Sequence, residues 1–147
     1  MINIKNGNIL NCTEDIIVHQ VNVQGIMGGG LARQLADRYP NLEKEYKKYC
    51  DYFENSFKRL WGDVCWSVKE NKVIANTFSQ DENFNTNYKA IEKCLLEVRE
   101  FAQRAKWSIA IPYGIGCGIA NGEWNEVYKI IKEVFENSNI QCTLYKL

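Results

Sequence analysis

Two clusters of glycine, each placed just after a short apolar run, constrain the fold of this chain more than any other feature. Seven of the ten glycines lie in these clusters. The first cluster covers residues 25–30 and follows the apolar run 16–21 and Asn22, and the second covers residues 114–118 and follows the run 109–112. Glycine allows a positive φ and the close approach of another group to its N–H. Both clusters are therefore typical of turns that lead from a buried strand into a helix.

Such turns also offer a binding surface for anions. They present several backbone N–H groups beside the positive end of a helix dipole. Two of them in one domain predict a crevice for a ligand with two phosphates, and the alternative is that both are only tight turns. The usual nucleotide motifs do not fit. There is no Gly-Lys-Ser/Thr, and Arg33 and Asn121 stand where the dinucleotide fingerprint needs a third small residue.

Short continuous apolar runs alternate with helical stripes along the chain, which predicts a layered α/β domain with a mixed sheet. Strands are expected at 2–4, 16–21, 64–68, 72–78, 107–111 and 141–145, with a hairpin turn at Glu70-Asn71. A length of 147 residues fits one domain, residues 1–147. Ligands of such sheets bind beyond the carboxyl ends of strands, where both glycine clusters fall.

Charge and composition exclude several kinds of partner. Eighteen basic and eighteen acidic residues cancel, so no nucleic-acid partner is expected. An anionic ligand would be held by backbone N–H groups. The sequence shows neither a signal region nor a membrane-spanning run, and we expect a cytoplasmic protein. Six cysteines fit a reduced core, and a single His without any C-x-x-C predicts no metal site and no cofactor.

The stretch 79–87 is polar and aperiodic, which predicts a loop of functional length. Asp81 and Glu82 in this loop are candidates for positioning water, although a polar loop carries acids by default.

The whole chain resembles the macrodomain family, the ADP-ribose-binding α/β modules. The residues that carry the resemblance are Asn6-Gly7-Asn8-Ile9, Val18-His19-Gln20-Val21-Asn22, the two glycine clusters, Trp124 and the ending Thr143-Leu144-Tyr145-Lys146-Leu147. The similarity is greatest to the branch with small ADP-ribosyl-glutamate hydrolases and a yeast ADP-ribose 1″-phosphate phosphatase. It implies a three-layer α/β/α sandwich with a central mixed sheet. It also implies ADP-ribose or a related NAD-derived nucleotide as ligand, and an ADP-ribosylated protein as a possible partner.

The resemblance also implies roles for single residues. Asn8 stands where the family has an adenine-contacting Asp, Ile9 would offer its N–H beside it, and Asn22 matches an Asn near the distal ribose. The residues that match the two phosphate-binding loops are Gly28, Gly29, Gly30 and Leu31 in the first loop, and Gly114, Ile115, Gly116, Cys117 and Gly118 in the second. Cys117 is either an acidified thiol at a helix N-terminus or a small packing residue.

The residues that would catalyse hydrolysis are only partly present. The glutamate hydrolases use a Lys after the strand equivalent to 73–77 and an Asp in the second loop, and this chain has neither there. His19 falls where the phosphatase branch has its proposed catalytic His, and an imidazole there would act as acid, base or nucleophile. A lone strand His is also often a satisfied core residue. We therefore expect ADP-ribose binding, and hydrolysis of ADP-ribose 1″-phosphate through His19 is a candidate activity of the same site. The alternatives are a non-catalytic reader module and an ADP-ribosyl hydrolase with non-standard residues.

Overall fold

The computed structural model describes residues 2–147. In this range the strands are β1 Ile2–Asn6, β2 Ile16–Val21, β3 Val64–Lys69, β4 Lys72–Phe78, β5 Ile109–Pro112 and β6 Cys142–Lys146. The α-helices are α1 Gly30–Arg38, α2 Leu42–Tyr52, α3 Phe57–Leu60, α4 Tyr88–Ala105 and α5 Trp124–Phe135. A 3-10 turn, Ile9–Asn11, follows β1.

The strands form a single mixed sheet in the order β1-β6-β5-β2-β4-β3. Neighbouring strands are parallel except β3 and β4, which form the expected hairpin around Glu70 and Asn71. The carboxyl ends of the five parallel strands therefore share one edge of the sheet, which we call the carboxyl edge.

Both faces of the sheet are covered by helices, which confirms the three-layer sandwich. Side chains alternate between the faces of a strand, and β2 shows the consequence. Ile16 and Val18 pack in a cluster with α4 and α5, whereas Ile17 and Val21 pack in a second cluster with α1, α2 and α3. A strand with two buried faces reads as a continuous apolar run, which explains the composition of β2.

The structure differs from the sequence expectations mainly in short elements. The helix α3 and the 3-10 turn were not expected, because four or three residues are too few to show a helical period. The cysteines are unpaired, and all are buried except the half-buried Cys117. Within residues 2–147, no helix has the length and apolar character needed to cross a membrane. The same range contains no cluster of three potential metal ligands.

Candidate functional site

A crevice of about 370 Å³ lies at the carboxyl edge, between the loops that follow β2 and β5. We call residues 22–30 the first glycine loop and residues 113–122 the second. The predicted site residues that line the crevice are His19, Gly29, Gly30, Leu31, Gly114, Ile115, Gly116 and Gly118. The two glycine clusters, far apart in the sequence, thus face each other across one cavity.

The first glycine loop supplies the N-terminus of α1. The opening N–H groups of a helix have no partner within the helix, and the N-cap residue Gly29 has no side chain to cap them. The N–H groups of Gly30, Leu31 and Ala32 are therefore free to bind a ligand in the crevice, which all three residues line. Uncapped N–H groups beside a helix dipole attract phosphate.

The second glycine loop consists of two consecutive tight turns. The N–H of Ile115 donates to the Pro112 carbonyl at 3.1 Å, and the N–H of Cys117 donates to the Gly114 carbonyl at 2.9 Å. Gly114 and Gly116 occupy the third position of these turns with φ of +85° and +75°, which side chains rarely tolerate. Among the described residues, the N–H groups of Gly116 and Gly118 have no acceptor. Both residues line the crevice, so these N–H groups are a second set of candidate donors for a ligand there.

The first glycine loop is held in place from below by α2. The buried Tyr46 hydroxyl donates to both the backbone carbonyl and the Oδ1 of Asn22. The Asn22 amide in turn donates to the Ile26 carbonyl at 3.2 Å and accepts from the Gln24 N–H at 2.9 Å. Glu43 accepts from the Met27 N–H at 2.8 Å. Asn22 therefore shapes the loop and does not line the crevice itself.

Residues 79–87, which we call the polar loop, lie against the second glycine loop. The Thr86 hydroxyl donates to the Gly116 carbonyl at 2.6 Å. The Gln20 amide donates to the hydroxyls of Ser79 and Thr86 at 3.0 and 3.2 Å, and its oxygen accepts from the Gln80 amide at 3.1 Å. These bonds connect β2, the polar loop and the second glycine loop. They leave Gln80 Oε1 buried without a partner in the described chain.

His19 is among the residues that line the crevice and has 2% of its surface exposed. Its Nε2 is 2.6 Å from Asn76 Oδ1. The Asn76 amide nitrogen donates to the Cys65 carbonyl and the Ser67 hydroxyl, so Oδ1 is the acceptor and His19 Nε2 carries the proton. His19 Nδ1 has no partner in the described chain. Burial lowers the pKa of His19 from 6.5 to about 4, and the hydrogen bond to Asn76 acts in the opposite direction. His19 is thus a neutral imidazole whose buried Nδ1 carries an unpartnered lone pair.

Four more of the predicted site residues lie outside the crevice lining. Asn8 follows β1 and caps the 3-10 turn by accepting from the Leu10 N–H at 3.0 Å. Ile9 is buried in the core beneath it. Gly28 immediately precedes Gly29, the first residue of the first glycine loop that lines the crevice. Cys117 donates to the Ile115 carbonyl, and burial with the nearby Glu123 raises the pKa of its thiol, which disfavours an acidified nucleophile.

Sequence reasoning missed Gln20, Gln80, Thr86 and Tyr46. Gln80 and Thr86 lie in the stretch identified as a polar loop of functional length, which was the available signal. Gln20 stands between two buried residues of β2, where a polar side chain requires partners.

No protein-family model matches this sequence. An ADP-ribose 1″-phosphate phosphatase of Saccharomyces cerevisiae is 43% identical over 172 residues, and the match covers 96% of this chain and 96% of the relative. A DNA ADP-ribosyl glycohydrolase of Mycobacterium tuberculosis is 26% identical over 149 residues, or 99% of this chain. The chain spans 42% of the length of that glycohydrolase.

Solved structures show the same fold. The macrodomain of Mycobacterium tuberculosis DarG has a TM-score of 0.84 at 23% identity and covers 99% of this chain and 97% of its own. Thermosipho africanus DarTG in complex with ADP-ribose has a TM-score of 0.80 at 20% identity, covering 99% of this chain and 42% of its own. The shared fold and the near-full-length relationship to the yeast phosphatase show that this chain belongs to the macrodomain family.

Proposed function

We propose that this chain binds ADP-ribose in the crevice, with the diphosphate between the two glycine loops. The observation that carries the proposal is the convergence of two sets of unpartnered N–H groups, from the start of α1 and from the second glycine loop, on one cavity. No Lys or Arg is among the residues that line it. The backbone therefore supplies the attraction for phosphate. The names of the yeast and mycobacterial relatives support an ADP-ribosyl ligand.

Gly29→Glu tests this assignment. The Gly29 backbone is extended, with φ of −158°, and a Cβ there meets no atom within 4 Å. The variant should fold, while its carboxylate enters the crevice and repels the diphosphate. We expect calorimetry to show ADP-ribose affinity weakened by more than about tenfold, which is about 1.4 kcal/mol.

A matched control adds the same charge elsewhere. Gln103 is exposed on α4, near Asp15 and Ser108 at the opposite edge of the sheet. Gln103→Glu should bind ADP-ribose like the wild type. Wild-type affinity in a folded Gly29→Glu protein would refute the diphosphate site.

Hydrolysis of ADP-ribose 1″-phosphate is a second candidate function. His19 favours it, because this residue lines the crevice and its buried Nδ1 has no partner in the described chain, and the yeast relative bears the name of this phosphatase. The neutral state of His19 suits a base or nucleophile and not a general acid. Phosphate release from ADP-ribose 1″-phosphate is the direct assay. A wild-type protein that binds ADP-ribose but releases no phosphate would be a binding module.

A further inference from the structure

A second, smaller cavity of about 130 Å³ adjoins the crevice at the carboxyl ends of β2 and β4. Four aromatic side chains line it, namely Phe57 and Trp61 from the α3 region, Phe78 from β4 and Phe84 from the polar loop. We call it the aromatic pocket. Its volume is close to that of a protein cavity of about 150 Å³ that binds benzene, so it can hold a single planar ring.

The aromatic pocket and the crevice share one wall. Gln80 lines both cavities, and its Oε1 is the buried acceptor that no described residue satisfies. Asn22 and Val21, at the end of β2, also line the pocket. A buried polar atom without a partner calls for an explanation, and a hydroxyl of a ligand that passes from one cavity to the other would supply it.

The sheet order places the aromatic pocket at one end of the proposed ligand. The crevice lies between the loops after β5 and β2, and the pocket lies one strand further, between β2 and β4. An ADP-ribose whose diphosphate lies in the crevice extends one of its two riboses toward β2, either the ribose that carries adenine or the distal ribose with the group linked to it. The pocket then faces the group attached to the anomeric carbon of that ribose.

The chemistry of the aromatic pocket indicates which group this is. Asp81 and Glu82 accompany the four rings in the lining, and no Lys, Arg or His is among the lining residues. Asp81 uses Oδ1 to accept from the N–H groups of Asn83 and Asn85, which leaves the other carboxylate oxygen for a ligand. Aromatic faces and carboxylates attract cations and repel phosphate.

Phe84, one of the four aromatic residues of the pocket, has a strained backbone conformation. Phe84 has a φ of +65° and is 42% exposed. A bulky residue in the left-handed region is unusual, and such strain is concentrated at binding sites. The N–H of Phe84 donates to the Asp81 carbonyl at 3.0 Å, so the turn that strains Phe84 also fixes it beside the carboxylate.

We propose that the aromatic pocket binds a planar cation attached to the distal ribose of ADP-ribose, either the pyridinium of NAD⁺ or the guanidinium of an ADP-ribosylated arginine. The proposal rests on the proposed ADP-ribose site. The ring or guanidinium stacks between the aromatic side chains, and its positive charge lies near Asp81 and Glu82. Gln80 Oε1 accepts a hydroxyl of the ribose that joins the two cavities.

Calorimetry with matched ligand pairs tests the proposal. NAD⁺ and NADH differ in the charge and aromaticity of the nicotinamide ring. ADP-ribosyl-arginine peptides carry a planar, positively charged guanidinium at the linkage, whereas ADP-ribosyl-serine peptides carry a neutral oxygen there. We expect at least one cationic ligand to bind about five- to tenfold more tightly than ADP-ribose, the usual range of a cation–aromatic contact. Its neutral counterpart should show no such gain. The ligand that shows this gain in affinity identifies which cation the pocket binds, the pyridinium or the guanidinium.

Variants localise the gain to the aromatic pocket. Asp81→Asn keeps the acceptor that the turn needs, and in combination with Glu82→Gln it removes both charges. This double variant and Trp61→Leu should each reduce the gain to less than about twofold while ADP-ribose affinity stays unchanged. Glu92→Gln, exposed on α4, is the control for a lost carboxylate.

The outcomes separate this proposal from the proposed function. Normal ADP-ribose binding with no preference for either cation would overturn the aromatic-pocket proposal alone. Tighter binding of ADP-ribose 1″-phosphate than of both cationic ligands would overturn it too. Loss of ADP-ribose binding in the wild type would overturn both proposals.

Discussion

Replacing His19 by Gln probes the buried imidazole without removing its structural bond. The Gln amide nitrogen takes the place of Nε2 as donor to Asn76 Oδ1, which avoids the cost of about 1–3 kcal/mol for a buried acceptor left unpaired. What the variant loses is the capacity to bind a proton. The difference in stability between the variant and the wild type should therefore change with pH only through the titration of His19.

The sign and size of this dependence follow from the pKa. In the folded protein the pKa of His19 is lowered to about 4, against 6.5 for the free side chain. Between these values the unfolded chain binds a proton that the folded chain does not, so wild-type stability falls as the pH falls. At about 1.4 kcal/mol for each tenfold difference in proton affinity, the loss reaches roughly 3 kcal/mol at pH 4. It is roughly 2 kcal/mol at pH 5 and nearly absent above pH 7.

Urea unfolding of both proteins at pH 7.5, 6 and 5 measures this difference, and the contributions of other titrating groups cancel between them. We expect the wild type to lose about 2 kcal/mol more than His19→Gln between pH 7.5 and 5. Parallel stability curves would refute the buried neutral imidazole. The same variant tests catalysis, because a catalytic His19 implies a fall in phosphatase rate of about 10²–10⁴ with ADP-ribose affinity nearly unchanged.

Three further predictions concern the loops. Gly116→Ala should destabilise the protein by about 1–3 kcal/mol in urea unfolding, because φ is +75° and the new Cβ would lie 2.7 Å from Thr86 Oγ1; Gly118→Ala, whose Cβ meets nothing within 4 Å, should not. Tyr46→Phe removes the donor to Asn22 and should cost about 1 kcal/mol, and calorimetry should show weaker ADP-ribose binding as the first glycine loop loosens. The chain should release little ADP-ribose from a glutamate-modified protein. The polar-loop residue that lines the crevice is Gln80 and not a lysine, and the crevice lining contains no Lys or Arg at all. Robust release would show that other residues catalyse the reaction.

The parts of the fold that sequence patterns predicted are those with a strong local signal. Strands β2 and β5 are buried on both faces, so their sequences are mostly apolar, and the glycines after them mark the turns. The hairpin of β3 and β4 was visible because Glu70 and Asn71 interrupt two strand-like runs. The crevice followed from these elements, because parallel strands bring their carboxyl ends to one edge.

The remaining features depend on contacts between distant residues. Nothing near Tyr46 in the sequence indicates that its hydroxyl supports Asn22, and nothing near Phe57 or Trp61 indicates that α3 joins the polar loop in an aromatic pocket. The state of His19 likewise depends on Asn76, its partner in the neighbouring strand β4. A single sequence shows residue types but not which side chains meet across the sheet.

The hydrogen bonds from Thr86 to the Gly116 carbonyl and from the Gln80 amide to Gln20 join the walls of the crevice and the aromatic pocket. Because of these bonds, we expect a ligand that orders the second glycine loop to order the polar loop as well, which is a wall of the pocket. Thermodynamic linkage requires the effect to be reciprocal: whatever factor a pocket occupant adds to diphosphate affinity, a bound diphosphate adds to the affinity of that occupant. A fragment that binds the pocket weakly by itself should bind measurably better when ADP-ribose already fills the crevice.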